Sequence, residues 1–304
     1  MKDLSLRLTA DDAALGRLDR ILLAHAPDST RALVAEAFSA GRVRLGGRPV
    51  RKSDRGAEGD LLEVSALAET TDRAVAPDPA LPLSVVYEDP QVLAFDKPAG
   101  QACHPVSIGE GGTLASALLA RYPELEGIGD DPLMPGLLHR LDAGTSGLVL
   151  AARSPAAFAA LRAQFTAHTA RKVYLALVEG TVEKPGGVSG HLAHSSSFRG
   201  RMRCIAPGSL PKGERALFAE TFYKPRWTRG GTTLLEVTIL TGVTHQIRCQ
   251  LSSIGHPIVG DATYGAHVAP GLPGHRLHAL SATIVHPATG KPIMLRTPEP
   301  GWAK

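Results

Sequence analysis

The spacing of apolar residues predicts two short helices and a hairpin near the amino terminus. Apolar side chains recur every three to four residues over 17–23, and again between Ser29, a residue type that caps helices, and Gly41. A pair of glycines between two short apolar runs predicts a tight hairpin over 43–50. A closing strand is predicted at 61–64.

The pattern changes after residue 82, where short apolar runs typical of strands outnumber helical ones. Strands are predicted at 85–87, 92–95, 147–152, 173–178 and 234–240, and helices at 113–121 and 154–165. Strands with few intervening helices indicate an α+β fold rather than a doubly wound sheet.

Residues 66–82 interrupt both patterns and contain three prolines, which predicts a linker. The chain is therefore expected to hold a small domain at 1–65 and a larger one at 83–304.

Composition narrows the class of protein. The 304 residues are 43% hydrophobic, enough for a sizeable core, and no apolar run approaches the roughly 18 residues that a membrane span needs. The charged amino terminus is unlike a secretion signal, and three widely spaced cysteines do not form a disulfide framework. We expect a cytoplasmic protein with no membrane partner, and a monomer is the default expectation.

Basic residues are concentrated between 31 and 55. Glu36 and Asp54 are outnumbered there by Arg31, Arg42, Arg44, Arg48, Arg51, Lys52 and Arg55. Such a cluster is often only a solvated face. On a helix followed by a hairpin, however, it can present several cations to neighbouring phosphates, which favours a nucleic-acid partner.

Four stretches place polar, titratable and glycine residues where a core would need apolar ones. They are 139–147, 172–180, 241–248 and 255–265. In the first, Asp142 follows Arg140 and precedes a glycine-rich turn, which would expose its carboxylate at the lip of a cleft. An isolated loop aspartate more often caps its own turn. Tyr174, taken alone, is better explained as a half-buried packing residue.

Other chemistries fit these residues poorly. Ser146 nearly completes a serine-hydrolase elbow, but Leu148 stands where that motif needs glycine. The twelve histidines lack the spacing of zinc ligands, and the sequence has no phosphate-binding glycine loop of the Walker or dinucleotide type. We therefore predict neither a metal nor a nucleotide cofactor.

The same stretches, in this order, resemble the RluA-type family of RNA pseudouridine synthases over most of residues 83–295. Further matching segments are Tyr87-Glu88-Asp89, Asp96-Lys97-Pro98-Ala99-Gly100, Ala219-Glu220-Thr221 and Arg276-Leu277-His278-Ala279. Residues 1–65 are similar to the α-L RNA-binding motif that commonly precedes this catalytic domain. The resemblance implies a mixed, mainly antiparallel sheet with flanking helices and a central cleft.

The reaction implied by the resemblance converts uridine in RNA to pseudouridine: the bond from the sugar to N1 of uracil breaks, and one to C5 forms. The resemblance assigns Asp142 as the nucleophile, Arg248 as its ion-pair partner and Tyr174 as the residue that stacks beneath uracil. Arg140 would enter the RNA stack and help to turn the target nucleotide outward. The remaining residues expected to contact substrate are His139, Lys172, His245 and Gln246.

Several points stay open at this level. Asp142 could attack the sugar or assist elimination to a glycal. Val243 replaces an arginine usual in the family, and Gln250 replaces a common histidine, which concerns substrate contacts more than activity. Residues 186–214 match little of the family pattern and are expected to form an irregular loop, either solvated or in contact with RNA; this segment contains Ser195, Ser196, Ser197, Arg199, Arg201 and Arg203.

The basic cluster makes RNA the expected partner, through Arg31, Arg42, Arg44, Arg48, Arg51 and Lys52. A tethered second binding module favours a large substrate, so we expect large-subunit ribosomal RNA rather than transfer RNA. The alternative is an RNA-binding or ribosome-assembly factor whose catalysis is incidental or lost.

Overall fold

The computed structural model describes residues 1–69, 74–106, 109–198, 200–211, 213–267 and 274–304. These residues form two compact units, Met1–Ala74 and Val75–Lys304. Leu67 is buried in the core of the first unit and Val75 in the core of the second, so both cores reach into the segment 66–82 that was predicted as a linker. Within the described ranges, no helix is long and apolar enough to cross a membrane.

The first unit packs helices against a small antiparallel sheet. Its elements are strand β1 (Lys2–Arg7), helices α1 (Ala10–Leu15), α2 (Leu18–His25) and α3 (Arg31–Ser39), and strands β2 (Val43–Leu45), β3 (Arg48–Pro49) and β4 (Leu61–Leu67). The strand order is β1-β4-β2-β3, and apolar residues of α2 and α3 bury against Val43, Leu62 and Val64. The two predicted helices, the hairpin and the closing strand are confirmed.

The cap of α3 differs from the prediction. Thr30 rather than Ser29 occupies the capping position, and its hydroxyl accepts a hydrogen bond from the Leu33 amide at 3.3 Å. The Ser29 hydroxyl instead donates to the Ala68 carbonyl at 2.7 Å, which ties the start of α3 to the end of the sheet. Both residue types can cap a helix, so their order in the sequence could not decide between them.

The second unit is built on one large sheet with helices packed on it. Its strands are β5 (Val85–Glu88), β6 (Val92–Lys97), β7 (Ser146–Ala152), β8 (Arg171–Glu179), β9 (Gly186–His194), β10 (Met202–Ile205), β11 (Leu217–Arg229), β12 (Thr232–Ile239), β13 (Leu277–Val285) and β14 (Pro292–Arg296). Its helices are α4 (Leu114–Arg121), α5 (Pro155–Thr166) and α6 (Gln246–Ser253), with single 3-10 turns at Pro123–Leu125, Ala262–Tyr264 and Gly301–Ala303.

The sheet is mainly antiparallel, which confirms the predicted α+β class. Among the described strands the order is β10-β9-β11-β12-β8-β13-β7-β6-β5, with β14 paired to β13. Strands β13 and β7 run parallel, whereas the other neighbouring pairs are antiparallel. The apolar run that predicted β7 is buried, since Leu148–Ala152 are at most 2% exposed.

The segment 186–214 was expected to be an irregular loop, and this expectation is wrong. Strands β9 and β10 pair there, with Met202 opposite His194 and Ile205 opposite His191. The alternation of apolar and polar residues that marks a strand is absent from β9, because three of its nine residues are glycines. Gly190 is nevertheless required, since a Cβ at that position would lie 2.7 Å from the Ile205 carbonyl oxygen. Arg199 lies outside the described residues.

A helix, α6, follows β12 where the sequence showed only polar residues after a strand. Every residue from Gln246 to Leu251 is buried. Because Gln246, Arg248 and Gln250 alternate with Ile247, Cys249 and Leu251 in this buried stretch, no helical apolar period marks the helix. Arg248 is therefore carried by a helix in which half of the buried residues from 246 to 251 are polar.

The close approach of β7 and β13 gives a stability prediction. Gly147 lies opposite Ala279 with φ at +109°, and an added Cβ would stand 2.2 Å from the Ala279 carbonyl oxygen. We expect Gly147→Ala to lower the free energy of unfolding by about 3 kcal/mol or more, measured by denaturant unfolding. Gly111→Ala, which adds a methyl group where no described atom lies within 4 Å, is the control. Equal losses in the two variants would contradict the prediction.

Candidate active site

A pocket of about 100 Å³ lies beside β8, β12, β13 and the start of α6. Leu141, Ile239 and Leu277 contribute apolar walls. Its polar lining includes six residues singled out from the sequence, namely Arg140, Asp142, Tyr174, His245, Gln246 and Arg248. The structure thus brings the three residues predicted to be catalytic together with three of those predicted to contact substrate.

A buried lysine holds one side of the turn that carries Asp142. Lys97, at the end of β6, is fully buried, and its ammonium group donates to the carbonyl oxygens of Pro98 and Gln101 at 2.8 Å and of Ala143 at 3.2 Å. Burial lowers the pKa of Lys97 to about 8, against the opposing effect of nearby negative charge that includes Asp142. The ammonium group therefore links β6 to the backbone next to Asp142.

Hydroxyl groups hold the other side of this turn. Thr145 Oγ1 lies 2.7 Å from His275 Nε2, and Ser146 Oγ lies 2.9 Å from His278 Nδ1. The Thr145 amide also donates to the Asp142 carbonyl at 2.9 Å. Since the two histidines flank the start of β13, the turn is anchored to β13 as well as to β6.

The central contact of the pocket is a guanidinium group shared by two carboxylates. Arg248 donates through Nε and Nη2 to Asp261 at 2.6 and 2.9 Å, and through Nη1 to Asp142 Oδ2 at 2.7 Å. The side chain of Asp261 is 1% exposed, whereas that of Asp142 is 29% exposed. Burial alone would lower the pKa of Arg248, but the hydrogen bonds and charges of both carboxylates outweigh it and raise that pKa. A permanently charged group therefore anchors one oxygen of a partly exposed carboxylate.

His245 faces the other oxygen of Asp142. Its Nε2 lies 3.8 Å from Asp142 Oδ1, and its Nδ1 lies 3.0 Å from the hydroxyl oxygen of Tyr264. Burial lowers the pKa of His245, which keeps the imidazole neutral at neutral pH. The residue has left-handed backbone angles, with φ at 55°, a conformation that is uncommon for residues other than glycine and that clusters at functional sites.

Gln246 uses its whole hydrogen-bonding capacity inside the protein. Its amide nitrogen donates to the Glu220 carbonyl at 2.9 Å and to Thr221 Oγ1 at 3.2 Å. Its amide oxygen accepts from the Thr241 hydroxyl at 2.9 Å and from the Val243 amide at 3.2 Å. An amide has two donors and two acceptor sites, so all four are occupied. The side chain thereby fixes the loop before α6 onto β11.

Tyr174 projects from β8 into the pocket and is only 7% exposed. Burial raises the pKa of its phenol, and the negative charge of Asp142 adds to the effect. The side chain is therefore a neutral ring with its hydroxyl protonated, in the same pocket as Asp142.

Comparisons with known proteins identify the family of this chain. A family model described as RNA pseudouridylate synthase matches residues 91–253. Ribosomal large subunit pseudouridine synthase D of Xanthomonas campestris is 34% identical over 98% of this chain and 90% of its own length, and the protein of that name from Pseudomonas aeruginosa is 31% identical over 93% and 88%. A solved structure, human RNA pseudouridylate synthase domain containing 1, has a TM-score of 0.56 at 26% identity, covering 74% of this chain and 87% of that one.

The chain belongs to the RNA pseudouridylate synthase family. It is an isomerase that acts on uridine in RNA, as the resemblance implied.

Two residues predicted to contact substrate lie outside the pocket lining of the synthase. His139 stacks on Phe165 with ring centroids 5.2 Å apart and accepts a hydrogen bond from the Leu150 amide at 3.2 Å. Lys172 donates to the Leu240 carbonyl at 2.8 Å, and its ammonium group lies 5.4 Å from the Phe165 ring centroid. Burial lowers the pKa of His139 to about 3 and that of Lys172 to about 8. Both polar groups thus bind protein atoms around Phe165.

The two departures from the family pattern have local structural partners. Val243 packs against an apolar cluster that includes Met202. Gln250 is fully buried, accepts from the Thr221 hydroxyl at 2.6 Å and donates to the Ala219 carbonyl at 2.9 Å. Gln250 therefore joins Gln246 in binding α6 to β11.

In the part of the chain that the structure describes, Ser146, which nearly completes a serine-hydrolase motif, lacks the contacts that such a nucleophile needs. Ser146 is not among the described residues that line the pocket. The other ring nitrogen of its partner His278 faces the Thr297 hydroxyl at 2.8 Å rather than a carboxylate. A serine nucleophile activated by a histidine and an acid is therefore not formed here.

In the first unit, five of the six residues expected to bind RNA are exposed, namely Arg31, Arg44, Arg48, Arg51 and Lys52. Arg42 is half-buried instead. Its guanidinium group donates to the Ala66 carbonyl at 2.8 Å and to Glu36 at 3.1 Å. Arg42 thus joins α3 to the sheet within the unit.

Sequence reasoning did not single out three residues that complete the site, Lys97, Asp261 and Tyr264. Each lies in a segment that matches the family, and Asp261 and Tyr264 also lie in the polar stretch 255–265. Their partners lie up to 62 residues away along the chain, as in the hydrogen bond from the Met202 amide to Tyr264. Spacing along the sequence carries no signal of such contacts.

The buried histidines give the synthase a predictable acid dependence. Burial lowers the pKa of His275 and of His278 from 6.5 to about 4. As the pH falls from about 6.5 to 4, these histidines bind protons in the unfolded chain but stay neutral in the folded protein. The free energy of unfolding therefore decreases over that range. Each such histidine should contribute up to about 1.4 kcal/mol per pH unit.

The measurement is the free energy of unfolding against pH. His278→Asn should reduce the slope of the free energy of unfolding against pH by an amount that corresponds to about one proton. His168→Asn, at an exposed left-handed position, should leave it unchanged. A His278→Asn protein with the original slope would show that this histidine is not a source of the dependence.

Proposed function

We propose that Asp142 is the nucleophile of this synthase and that Arg248 keeps it ionised and oriented. The observation that supports this most directly is that only one of the two Asp142 carboxylate oxygens is bound by Arg248. Oδ2 is 2.7 Å from Arg248 Nη1, which leaves Oδ1 as the attacking atom. A carboxylate desolvated beneath a bound base would otherwise tend to take up a proton, and the guanidinium charge offsets that tendency.

The chemistry balances without a cofactor. Oδ1 attacks C1′ of the ribose, and the electron pair of the C1′–N1 bond leaves with uracil. After the base turns, C5 attacks C1′ and releases the carboxylate. C5 then loses its proton and N1 gains one, so that nothing is oxidised and no group is lost.

Other residues in and near the pocket have supporting roles in this proposal. Tyr174 stacks beneath uracil. Arg140 is exposed, with Nη1 3.4 Å from His104 Nε2, and leaves that contact to enter the RNA stack as the nucleotide turns outward. Gln246, His139 and Lys172, whose polar groups bind protein atoms, position the pocket rather than contact RNA.

The RNA that we propose as substrate is large-subunit ribosomal RNA, in the cytoplasm where ribosomes are assembled. The relatives from Xanthomonas campestris and Pseudomonas aeruginosa are named ribosomal large subunit pseudouridine synthase D, and this chain covers most of their length. We propose the first unit, with its exposed cations, as an α-L RNA-binding domain that adds affinity for that RNA.

Asp142→Asn should abolish catalysis. The amide is a poor nucleophile, so tritium release from ribosomal RNA labelled at C5 of uridine should fall by about a thousandfold or more. Binding of the same RNA should persist. Asp130→Asn, which changes a carboxylate whose side chain is 75% exposed, is the matched control and should react as the unmodified protein does.

Two results would contradict the assignment. Unchanged tritium release by Asp142→Asn would remove the residue from the chemistry. A primary isotope effect with uridine deuterated at C2′ would make Asp142 the base of an elimination to a glycal rather than the nucleophile.

The proposed role of the first unit is tested by salt dependence. Replacing Arg44, Arg48, Arg51 and Lys52 with alanine should weaken RNA binding and flatten the plot of log affinity against log salt by about 0.7 for each lost contact to single-stranded RNA. The control removes the same charge from the exposed residues Arg171, Lys184, Lys291 and Lys304. Equal flattening in both proteins would mean that the effect comes from net charge, not from the first unit.

A further inference from the structure

We infer that Tyr264 and His245 form a positioning pair that directs an N–H group of a neutral imidazole at Oδ1 of Asp142. Arg248 holds Oδ2, so the carboxylate would be oriented by one donor on each oxygen. A carboxylate oxygen has two lone-pair sites, so Oδ1 can accept this bond at one of them and attack C1′ with the other. The inference rests on the proposed role of Asp142 as the nucleophile and assigns a function to two residues that the reaction steps above do not use.

The direction of the hydrogen bonds follows from the partners of Tyr264. Its hydroxyl oxygen accepts from the Met202 amide, which can only donate, at 2.9 Å. The phenol proton is then available for His245 Nδ1, 3.0 Å away. Cys249 also packs with Tyr264, but a thiol is a weak acceptor, and burial raises its pKa to about 12, so it stays a thiol.

The tautomer of His245 follows from this direction. A neutral imidazole that accepts at Nδ1 carries its proton on Nε2. Nε2 is the atom that faces Asp142 Oδ1 at 3.8 Å, whereas the other tautomer would turn a lone pair toward the negative oxygen. The separation exceeds hydrogen-bond length, and catalytic hydrogen bonds that are long in a free enzyme commonly shorten when substrate binds.

Both members of the pair are held rigidly. The Tyr264 ring is 3% exposed, and the guanidinium groups of Arg201 and Arg248 each lie 5.2 Å from its centroid. His245 immediately precedes α6, and Arg248 is the third residue of that helix, so both side chains line the same pocket. The start of α6 therefore supplies both partners of the carboxylate.

Two substitutions at position 245 separate a donor role from a structural one. The amide nitrogen of glutamine can reach the place of imidazole Nε2, whereas that of asparagine reaches only the place of Nδ1. Asparagine tolerates left-handed backbone angles better than glutamine. A purely structural role predicts that His245→Asn is at least as active as His245→Gln, and a donor role predicts the reverse.

We expect the single-turnover rate of pseudouridine formation to fall about ten- to a hundredfold in His245→Asn, and His245→Gln to restore most of that loss. The dissociation constant for RNA should be the same in both variants, because the contact acts through Asp142. Thermal unfolding should show His245→Asn to be no less stable than His245→Gln.

Tyr264→Phe provides the second measurement. It removes the hydroxyl that selects the tautomer of His245, so it should slow pseudouridine formation in the original chain. In the His245→Gln background, which has no imidazole, it should cause little further loss of rate. An equal loss in both backgrounds would show that the hydroxyl acts only through stability and would overturn the inference. An activity of His245→Asn equal to or above that of His245→Gln would also overturn it.

These outcomes are separable from those for the proposed function. An active Asp142→Asn protein contradicts the nucleophile assignment, whatever happens at His245. An inactive Asp142→Asn protein together with a fully active His245→Asn protein contradicts only the positioning pair.

Discussion

The site depends on the guanidinium group of Arg248, which binds the carboxylates of both Asp142 and Asp261. Asp261 is buried and takes Nε and Nη2, so Arg248 cannot turn away from the position that serves Asp142. Three hydrogen bonds in one plane need the fork of an arginine, since a lysine ammonium group could not reach both partners with this geometry. Asp261 shares the positive charge of this guanidinium group with Asp142, and in our proposal this shared charge orients the nucleophile.

The polar groups around this ion pair are satisfied mainly by neutral or backbone partners. Lys97 binds carbonyl oxygens, and Gln246 has all four of its hydrogen-bonding positions occupied. Burial lowers the pKa of His245, His275 and His278, so these rings act as neutral donors and acceptors. These neutral partners avoid further unpaired charge in the interior, which would be costly to bury. The order of the pocket comes from hydrogen bonds with a defined direction rather than from competing ion pairs.

The sequence was informative where structure follows from a local period. It predicted α2, α3, α5 and β7, and the Ser154-Pro155 start of α5, because apolar spacing and capping chemistry are read over a few residues. It failed for β9, where glycines remove the period, and for α6, where glutamine, arginine and cysteine occupy buried positions. In the site, the ordered motifs marked Asp142, Tyr174 and Arg248, which meet in one pocket. They could not show that His139 and Lys172 turn toward Phe165, or that Asp261 is the second partner of Arg248, because the spacing of a motif does not record which side chains meet in the fold.

The placement of Asp142 follows from a local exception in the sheet topology. Where β7 and β13 run parallel, Ser146 pairs with His278 and Gly147 with Ala279. Parallel neighbours begin at the same edge of a sheet, so the turn that precedes β7 and the residues that precede β13 must converge there. That convergence brings Thr145 to His275 and leaves room at Gly147 only for a residue without a side chain. In the described part of the sheet, the turn that bears the carboxylate is therefore built at the point where the antiparallel pattern breaks, and α6 lies close enough to supply the guanidinium group.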